Sequence, residues 1–205
     1  MKKFTFILSL IFISAFSSKS LLANEISAKN ISENDFIIGD ENAPITIIEY
    51  ASMSCSHCAD FHTNTLPALK TEFIDTGIVR MVFRDYPFNY PALLGSMMMR
   101  CIPSDIRYDY MNALYQLQPN WVNRDPKITK KELYKIMQTG GMTKEEFDNC
   151  YSNIDNENLI LEGVMAAQKD FDIKSTPSFV INGNLLEGNK NIKEFRQIID
   201  KILSE

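Results

Sequence analysis

The sequence has no excess of basic residues and only two histidines. Its 21 lysines and arginines are outnumbered by 26 aspartates and glutamates, which gives a formal net charge of -5 over 205 residues. A protein that binds nucleic acid usually presents a basic patch to the phosphates. The composition therefore argues against nucleic acid as a partner.

The scarcity of histidine also limits the metal sites that the chain can form. Both histidines, His57 and His62, lie near Cys55 and Cys58, so a zinc or copper site is one alternative for this segment. No second pair of ligands follows at the spacing of a zinc finger, which makes the metal site the weaker alternative. A c-type haem attachment is excluded because Ala59 stands where the Cys-x-x-Cys-His motif requires histidine.

A long apolar run stands at the N-terminus, where Phe4–Phe16 follows two lysines and precedes small and polar residues. This order predicts a secretory signal peptide over residues 1–23 rather than a membrane span. Cleavage is expected after Ala23, with Ser20 as the second choice, and residues 24–34 then form a linker. Since no cysteine lies near that junction, we expect no lipid anchor.

The chain has only four cysteines, but their even number in an exported protein allows two disulfides. Export into an oxidising compartment favours such bridges. The predicted pairs are Cys55 with Cys58 and Cys101 with Cys150, and two buried free thiols are the alternative for the second pair. A bridge there would be structural, since closing a loop of roughly fifty residues contributes on the order of 4 kcal/mol.

Hydrophobic patterns predict strands on both sides of a long helical block. An Asn-Gly turn at residues 182–184 predicts a hairpin near the C-terminus. Thr143 and Glu146 form a capping box that begins one helix, and Pro67 is expected to kink another. A loop that holds Pro119, Trp121 and Pro126 is expected between two of the helices. Strands are expected at 35–39, 46–50, 79–83, 177–181 and 185–187, and helices at 59–73, 91–101, 105–117, 129–139, 143–151, 156–171 and 192–203.

The sequence Cys55-Ser56-His57-Cys58 lies between a β-branched run and the start of a helical pattern. That order puts two thiols at a helix N-terminus, where unpaired amides and the helix dipole stabilise an anion. Two thiols in such a position are typical of a redox-active dithiol.

Three separated motifs resemble the DsbA-like thiol-disulfide oxidoreductases, whose thioredoxin fold is interrupted by a helical domain. The resemblance runs from about Asp35 to Leu203, and its motifs are Ile48–His62, Arg84–Pro87 and Thr176–Gly183. It implies an α/β protein with a thioredoxin fold and an inserted α-helical domain. The thioredoxin parts would be residues 35–90 and 166–205, and the insertion residues 91–165.

The resemblance also implies which residues react. Cys55 would be the exposed nucleophile, with a pKa lowered from about 8.5 into roughly the 3.5 to 7.5 range. Cys58 would be the buried resolving thiol. His57 would donate a hydrogen bond or positive charge toward the Cys55 sulfur, although a solvent-facing histidine is the simpler alternative. Glu49 would be a partly buried proton acceptor for Cys58, the alternative being an ordinary charge at a strand edge.

A proline motif completes the implied site. The Thr176-Pro177 peptide bond is expected to be cis, with the Thr176 backbone beside Cys55 and free to pair with an extended substrate segment. Two positions depart from the family. Ser56 replaces the commonest proline, and Thr176 replaces a valine found in many oxidases. Threonine is also common in the related isomerases, so a disulfide isomerase or reductase remains the alternative function.

The expected function is that of a periplasmic oxidase that introduces disulfides into newly exported proteins with free thiols. Isomerases of the superfamily usually carry an N-terminal dimerisation domain, and only about a dozen residues precede Asp35 in the predicted mature chain, so a monomer is expected. The resemblance implies reoxidation by a quinone-linked membrane protein of the DsbB type. No organic cofactor is expected.

Overall fold

The computed structural model describes residues 31, 32 and 34–205. The predicted signal peptide, residues 1–23, lies outside the described residues, as does most of the predicted linker. Within the described part of the chain, every helix is too short or too polar to cross a membrane.

Two runs of β-branched and apolar residues form the inner strands of a five-stranded sheet. β2 (Ile45–Ala51) is buried along its whole length and pairs in parallel with β3 (Val79–Asp85). A strand buried on both faces is typical of a sheet that helices cover on both sides. β2 therefore lies at the centre of the molecule, and the residues that follow it begin at the carboxyl edge of the sheet.

Three shorter strands complete the sheet in the order β1-β3-β2-β4-β5. β1 (Phe36–Ile38) pairs with β3, and β4 (Ser178–Ile181) pairs with β2, both in antiparallel fashion. β5 (Asn184–Glu187) forms a hairpin with β4. Asn182 and the following glycine adopt the positive φ angles that such a turn requires, so the predicted hairpin is confirmed.

The helix after β2 changes its winding three times. It begins as α1 (Ser56–Asp60), widens into a π-helical turn at Phe61–Thr65, and returns to α-helix in α2 (Leu66–Leu69). A second π turn, Lys70–Ile74, ends it. Pro67 has no amide and its ring clashes with the carbonyl one turn earlier in a regular helix, so the wider turn before it accommodates the proline.

Seven further helices follow in the described chain, and six of them match the predicted ones within a few residues. The seventh, a short helix around Pro119 and Trp121, was expected to be a loop. The helices are α3 (Tyr90–Cys101), α4 (Ser104–Gln116), α5 (Gln118–Trp121), α6 (Pro126–Thr139), α7 (Lys144–Tyr151), α8 (Ile154–Phe171) and α9 (Ile192–Leu203).

Capping explains where two of these helices begin. Thr143 and Glu146 form the predicted capping box of α7. α6 begins at Pro126, three residues earlier than expected, because Asp125 accepts a hydrogen bond from the amide of Lys127 and proline suits the first helical position. Both helices therefore have their free amides partly satisfied.

The helical block from α3 to α8 packs around Trp121 and Phe147, which are fully buried. A disulfide between Cys101 and Cys150 joins α3 to α7, with a Cα–Cα distance of 6.2 Å. α8 is a continuous helix across residues 165 and 166, where we predict a domain boundary. The boundaries of the parts therefore stay a prediction.

Candidate active site

The two remaining cysteines lie at the edge of the sheet where β2 ends. Cys55 is the N-cap of α1, with extended backbone angles, and its amide donates to the carbonyl of Ser52 at 3.0 Å. Cys58 follows within the first turn. Both are free thiols in this structure. The sulfur of Cys55 therefore lies at the start of a helix, where positive dipole charge and free amides favour an anion.

Hydrogen bonds stabilise the Cys55 thiolate. They lower the pKa of Cys55 from 9.0 to about 5, and the largest contribution comes from the Cys58 thiol. The Thr176 hydroxyl and the backbone amides of Cys58 and His57 act in the same direction, against the effect of partial burial. Cys55 is thus an anion at neutral pH.

Cys58 has the opposite properties. Its side chain is fully buried, and this burial is the main cause that raises its pKa. The hydrogen bond to Cys55 and the negative charge of Glu49 raise the pKa of Cys58 further. Cys58 therefore stays a neutral thiol and needs a proton acceptor before it can attack another sulfur.

The loop before β4 lies against Cys55. The peptide bond between Thr176 and Pro177 is cis, as the resemblance implied. The Cys55 Sγ lies 3.3 Å from the Thr176 carbonyl oxygen. The Thr176 hydroxyl is buried and has no hydrogen-bond partner in the neutral-thiol state among the described residues. It is therefore available to donate to Cys55 when the sulfur carries a charge.

His57 is exposed on the first turn of α1. Its backbone amide helps to lower the pKa of Cys55. The predicted role of its imidazole ring stays a prediction.

Glu49 lies on the central strand β2 and is fully buried, so it is not a charge at a strand edge. Its Oε2 lies 3.0 Å from Nε2 of His62, and its Oε1 has no hydrogen-bond partner among the described residues. The negative charge of Glu49 contributes to the raised pKa of Cys58. His62, which Glu49 contacts, lies four residues after Cys58 in the same helix. Its predicted role as a proton acceptor stays a prediction.

Two polar residues of the site were not predicted in their observed roles. We considered His62 only as a metal ligand, whereas it is a buried partner of Glu49. Its place four residues after Cys58, on one helical face, was the available signal. Gln118 of α5 donates through Nε2 to the carbonyls of Met53 at 2.9 Å and Cys55 at 3.0 Å. Nothing in the sequence pattern indicated this contact.

Metal binding has little geometric support in the described residues. No three histidine, cysteine or carboxylate side chains there lie close enough together to hold an ion. The Cys101–Cys150 disulfide lies within the helical block and not beside Cys55 and Cys58.

The arrangement matches known proteins in sequence. The thioredoxin family model matches residues 31–201. A protein-disulfide oxidoreductase of Rickettsia bellii is 30% identical over 177 residues, which are 85% of this chain and 67% of the relative. A relative of the same description from Rickettsia typhi is 28% identical, over 91% of this chain and 68% of its own length. Disulfide bond formation protein D of Bacillus cereus is 26% identical, over 94% and 88% of the two chains.

Solved structures agree with this match. The crystal structure of Wolbachia pipientis alpha-DsbA1 superposes with a TM-score of 0.80 at 27% identity, covering 89% of this chain and 96% of that one. Bacillus subtilis BdbD superposes with a TM-score of 0.70 at 22% identity, covering 84% and 94%, and shows a common fold. The predicted fold class, a thioredoxin fold with an inserted α-helical domain, is confirmed.

Proposed function

The chain belongs to the thioredoxin family and is a DsbA-like disulfide oxidoreductase, and on that premise we propose that it introduces disulfides into newly exported proteins in the periplasm. One observation carries the proposal: Cys55 is stabilised as a thiolate beside a buried, protonated Cys58. Only the reduced protein contains that anion. Its stabilisation therefore disfavours the Cys55–Cys58 disulfide and makes the oxidised protein an oxidant.

The size of this effect follows from the two pKa values. At pH 7 an ordinary thiol with a pKa of 9.0 is protonated, whereas Cys55 with a pKa of about 5 is ionised. The difference stabilises the reduced form by at most about 2.7 kcal/mol, at 1.36 kcal/mol per pH unit, because solvent screens the charge of the half-buried Cys55. For a two-electron couple this makes the potential at most about 60 mV more oxidising. An effect of this size separates a moderate oxidant from a reductant.

The proposed reaction begins with the oxidised protein. A substrate thiolate attacks the Cys55 sulfur, the bond to Cys58 breaks, and Cys58 takes up a proton. A second substrate thiolate then attacks the substrate sulfur of the mixed disulfide. The substrate leaves with a disulfide, and Cys55 leaves as the stabilised thiolate with both electrons.

Substrate recognition is proposed to use the backbone of the Thr176-Pro177 loop. An extended segment that pairs with backbone groups there is held with little dependence on its side chains. The proposed substrates are unfolded or newly exported proteins with free thiols. Reoxidation is proposed to come from a quinone-linked membrane protein of the DsbB type, and the chain itself is proposed to act as a monomer.

Equilibration with glutathione buffers tests the direction of electron flow. A potential near about -120 mV, the value of a strong oxidant, supports the oxidase. A potential near about -270 mV, the value of thioredoxin, contradicts it and favours the reductase alternative. Refolding of a substrate with scrambled disulfides separates the isomerase alternative, since an oxidase alone leaves the wrong pairings in place. The Cys55→Ser variant is the matched control.

A further inference from the structure

A buried carboxylate and a buried imidazole lie in contact near the dithiol, and the exchange of electrons does not require them. Glu49 and His62 pair at 3.0 Å with side-chain exposures of 0% and 1%. Burying a carboxylate and an imidazole together is costly, and an apolar pair of similar volume would often be as stable. The cost of burying this pair therefore indicates that it has a function at this site.

The winding of the first helix places His62 in this position. His62 lies in the π-helical turn Phe61–Thr65, directly after the turn that holds Cys58. Its ring stacks on Tyr115 with a centroid distance of 4.1 Å and meets Phe61 edge-on at 5.5 Å. π turns inside α-helices are frequent at functional sites. The ring is thus held in one orientation, with Nε2 facing Glu49.

The other ring nitrogen faces away from the dithiol. Nδ1 of His62 lies 3.4 Å from Oδ1 of Asn112 on α4. An amide at that distance is a weak partner, so Nδ1 can exchange a proton with water. The two nitrogens of His62 therefore face two different environments.

His62 also forms part of the wall of a small cavity of about 50 Å³. That volume is enough for one or more water molecules. The cavity wall includes His62 and Tyr115, together with Met53, Phe83, Arg107 and Met111, but neither Glu49 nor Cys58. His62 is therefore the member of the Cys58, Glu49 and His62 group that borders this cavity.

We propose that His62 is a proton relay that connects Glu49 to this cavity and so serves Cys58. His62 touches neither the substrate nor the sulfurs, and it acts through Glu49 as a positioning residue. The relay rests on the proposed function, because it is needed only if Cys58 gains and loses a proton in each cycle.

Formation of the Cys55–Cys58 disulfide releases one proton from Cys58. Cys58 attacks the Cys55 sulfur of a mixed disulfide, the bond from Cys55 to the partner breaks, and the partner leaves as a thiolate. A bridging water carries the Cys58 proton to Oε1 of Glu49, because that oxygen has no direct hydrogen-bond partner among the described residues. The proton shared at Oε2 passes to Nε2 of His62, and Nδ1 releases its own proton to the cavity.

The reverse step restores the starting state. When a substrate thiolate breaks the Cys55–Cys58 bond, Cys58 needs a proton, and the same three groups carry one inward from the cavity. Each half of the cycle therefore restores the protonation of Nδ1 and Nε2 that the other half has changed. No rotation of the stacked His62 ring is required.

Other charges face the relay and contribute to any pH dependence. The reactive cysteines lie above it, Tyr115 packs on the ring, and β3, α3 and α4 present charged side chains to the cavity. These groups are Cys55, Cys58, Tyr115, Arg84, Asp85, Arg100 and Arg107. A test of the relay must therefore compare variants at one pH as well as across pH.

Ellman's reagent reacts with the reduced protein in two successive phases, one for each thiol. The reduced protein releases one thionitrobenzoate when Cys55 attacks the reagent and a second when Cys58 resolves the mixed disulfide. We expect His62→Gln to leave the first phase unchanged, to slow the second about tenfold at pH 7, and to change its pH profile. In His62→Ala, added imidazole should enter the vacated space and restore the second phase.

Ser96→Ala is the matched control. Ser96 is also a buried polar residue, and its hydroxyl has no hydrogen-bond partner among the described residues, but it belongs to the helical block. A second phase as fast as that of the wild type in both His62 variants overturns the relay. So does a slowed phase with an unchanged pH profile and no rescue by imidazole, because loss of packing alone produces that result. The redox potential of the wild type tests the oxidase separately, so the two proposals can fail independently.

Discussion

The Cys55 sulfur lies 3.3 Å from the carbonyl oxygen of Thr176, although 121 residues separate them along the chain. This approach brings the start of α1 against the loop before β4. A neutral thiol donates to the carbonyl, whereas a thiolate can only accept, and the neighbouring Thr176 hydroxyl can then donate to it. Thr176 thus provides a hydrogen-bond partner for both the thiol and the thiolate form of Cys55.

Removal of the Thr176 hydroxyl should raise the pKa of Cys55. We expect Thr176→Val to raise it from about 5 by about one pH unit, since a hydrogen bond to a charged group contributes roughly 1.5 to 3 kcal/mol. Thiolate absorbance measured against pH gives the value. Thr71→Val is the control, because the exposed Thr71 hydroxyl bonds only to the Pro67 carbonyl. An unchanged pKa in Thr176→Val would show that the hydroxyl has no role.

Glu49→Gln should have two opposed effects. Loss of the carboxylate charge lowers the pKa of Cys58, because that charge raises it. Loss of the proton acceptor should nonetheless slow the attack of Cys58 about tenfold. The second phase of oxidation by Ellman's reagent measures the rate. Glu72→Gln removes an exposed carboxylate from the helix that carries Cys58 and serves as the control. A faster second phase in Glu49→Gln would mean that Glu49 acts through its charge alone.

Cys58→Ala should trap mixed disulfides on Cys55. The variant keeps the nucleophile but lacks the thiol that displaces a bound partner. The Cys55 thiolate attacks a disulfide of the substrate and displaces one substrate thiolate, so non-reducing electrophoresis after mixing with a disulfide-bonded, unfolded substrate should show adducts that disappear with a reductant. Cys55→Ala should give none, because Cys58 is buried. Adducts formed by Cys55→Ala in place of Cys58→Ala would reverse the assigned order of attack.

The stability of the reduced protein should fall as the pH is lowered. The pKa of Cys55 is depressed in the folded state, from 9.0 to about 5, so the unfolded chain binds more protons between these values. The contribution is fully present above pH 9 and is lost as the pH falls through 5. Between pH 8 and 6 the reduced protein should lose about 1.4 kcal/mol per pH unit relative to the oxidised protein.

Urea unfolding of both redox forms at each pH measures this difference, and the other titrating groups largely cancel in it. The Cys55→Ser variant should show no such slope. A constant difference between the reduced and oxidised wild type over this range would contradict the low pKa of Cys55.

Sequence patterns predict the parts of the fold that depend on local chemistry. The β-branched residues of β2, the capping box at Thr143 and the turn at Asn182 each act within a few residues, and all three predictions are confirmed. The placement of Cys55 as an N-cap also follows from the change of pattern at that point.

Long-range contacts could not be predicted in the same way. Burial of Glu49 depends on helices that pack over both faces of the sheet, which a single strand pattern does not reveal. The role of His62 depends on a π turn that a regular helical period does not describe. The short helix at Gln118 contains Pro119, which led us to expect a loop, although proline is well tolerated in the first turn of a helix.

The two hydrogen bonds from Gln118 give the inserted helices a part in the redox chemistry. They hold two carbonyl groups of the loop that carries Cys55. The inserted helices therefore stabilise the conformation of that loop. Loss of the Gln118 donor should therefore alter the loop that sets the acidity of Cys55. Grafting the block of another family member should accordingly fail to preserve the potential unless a donor at this position is retained.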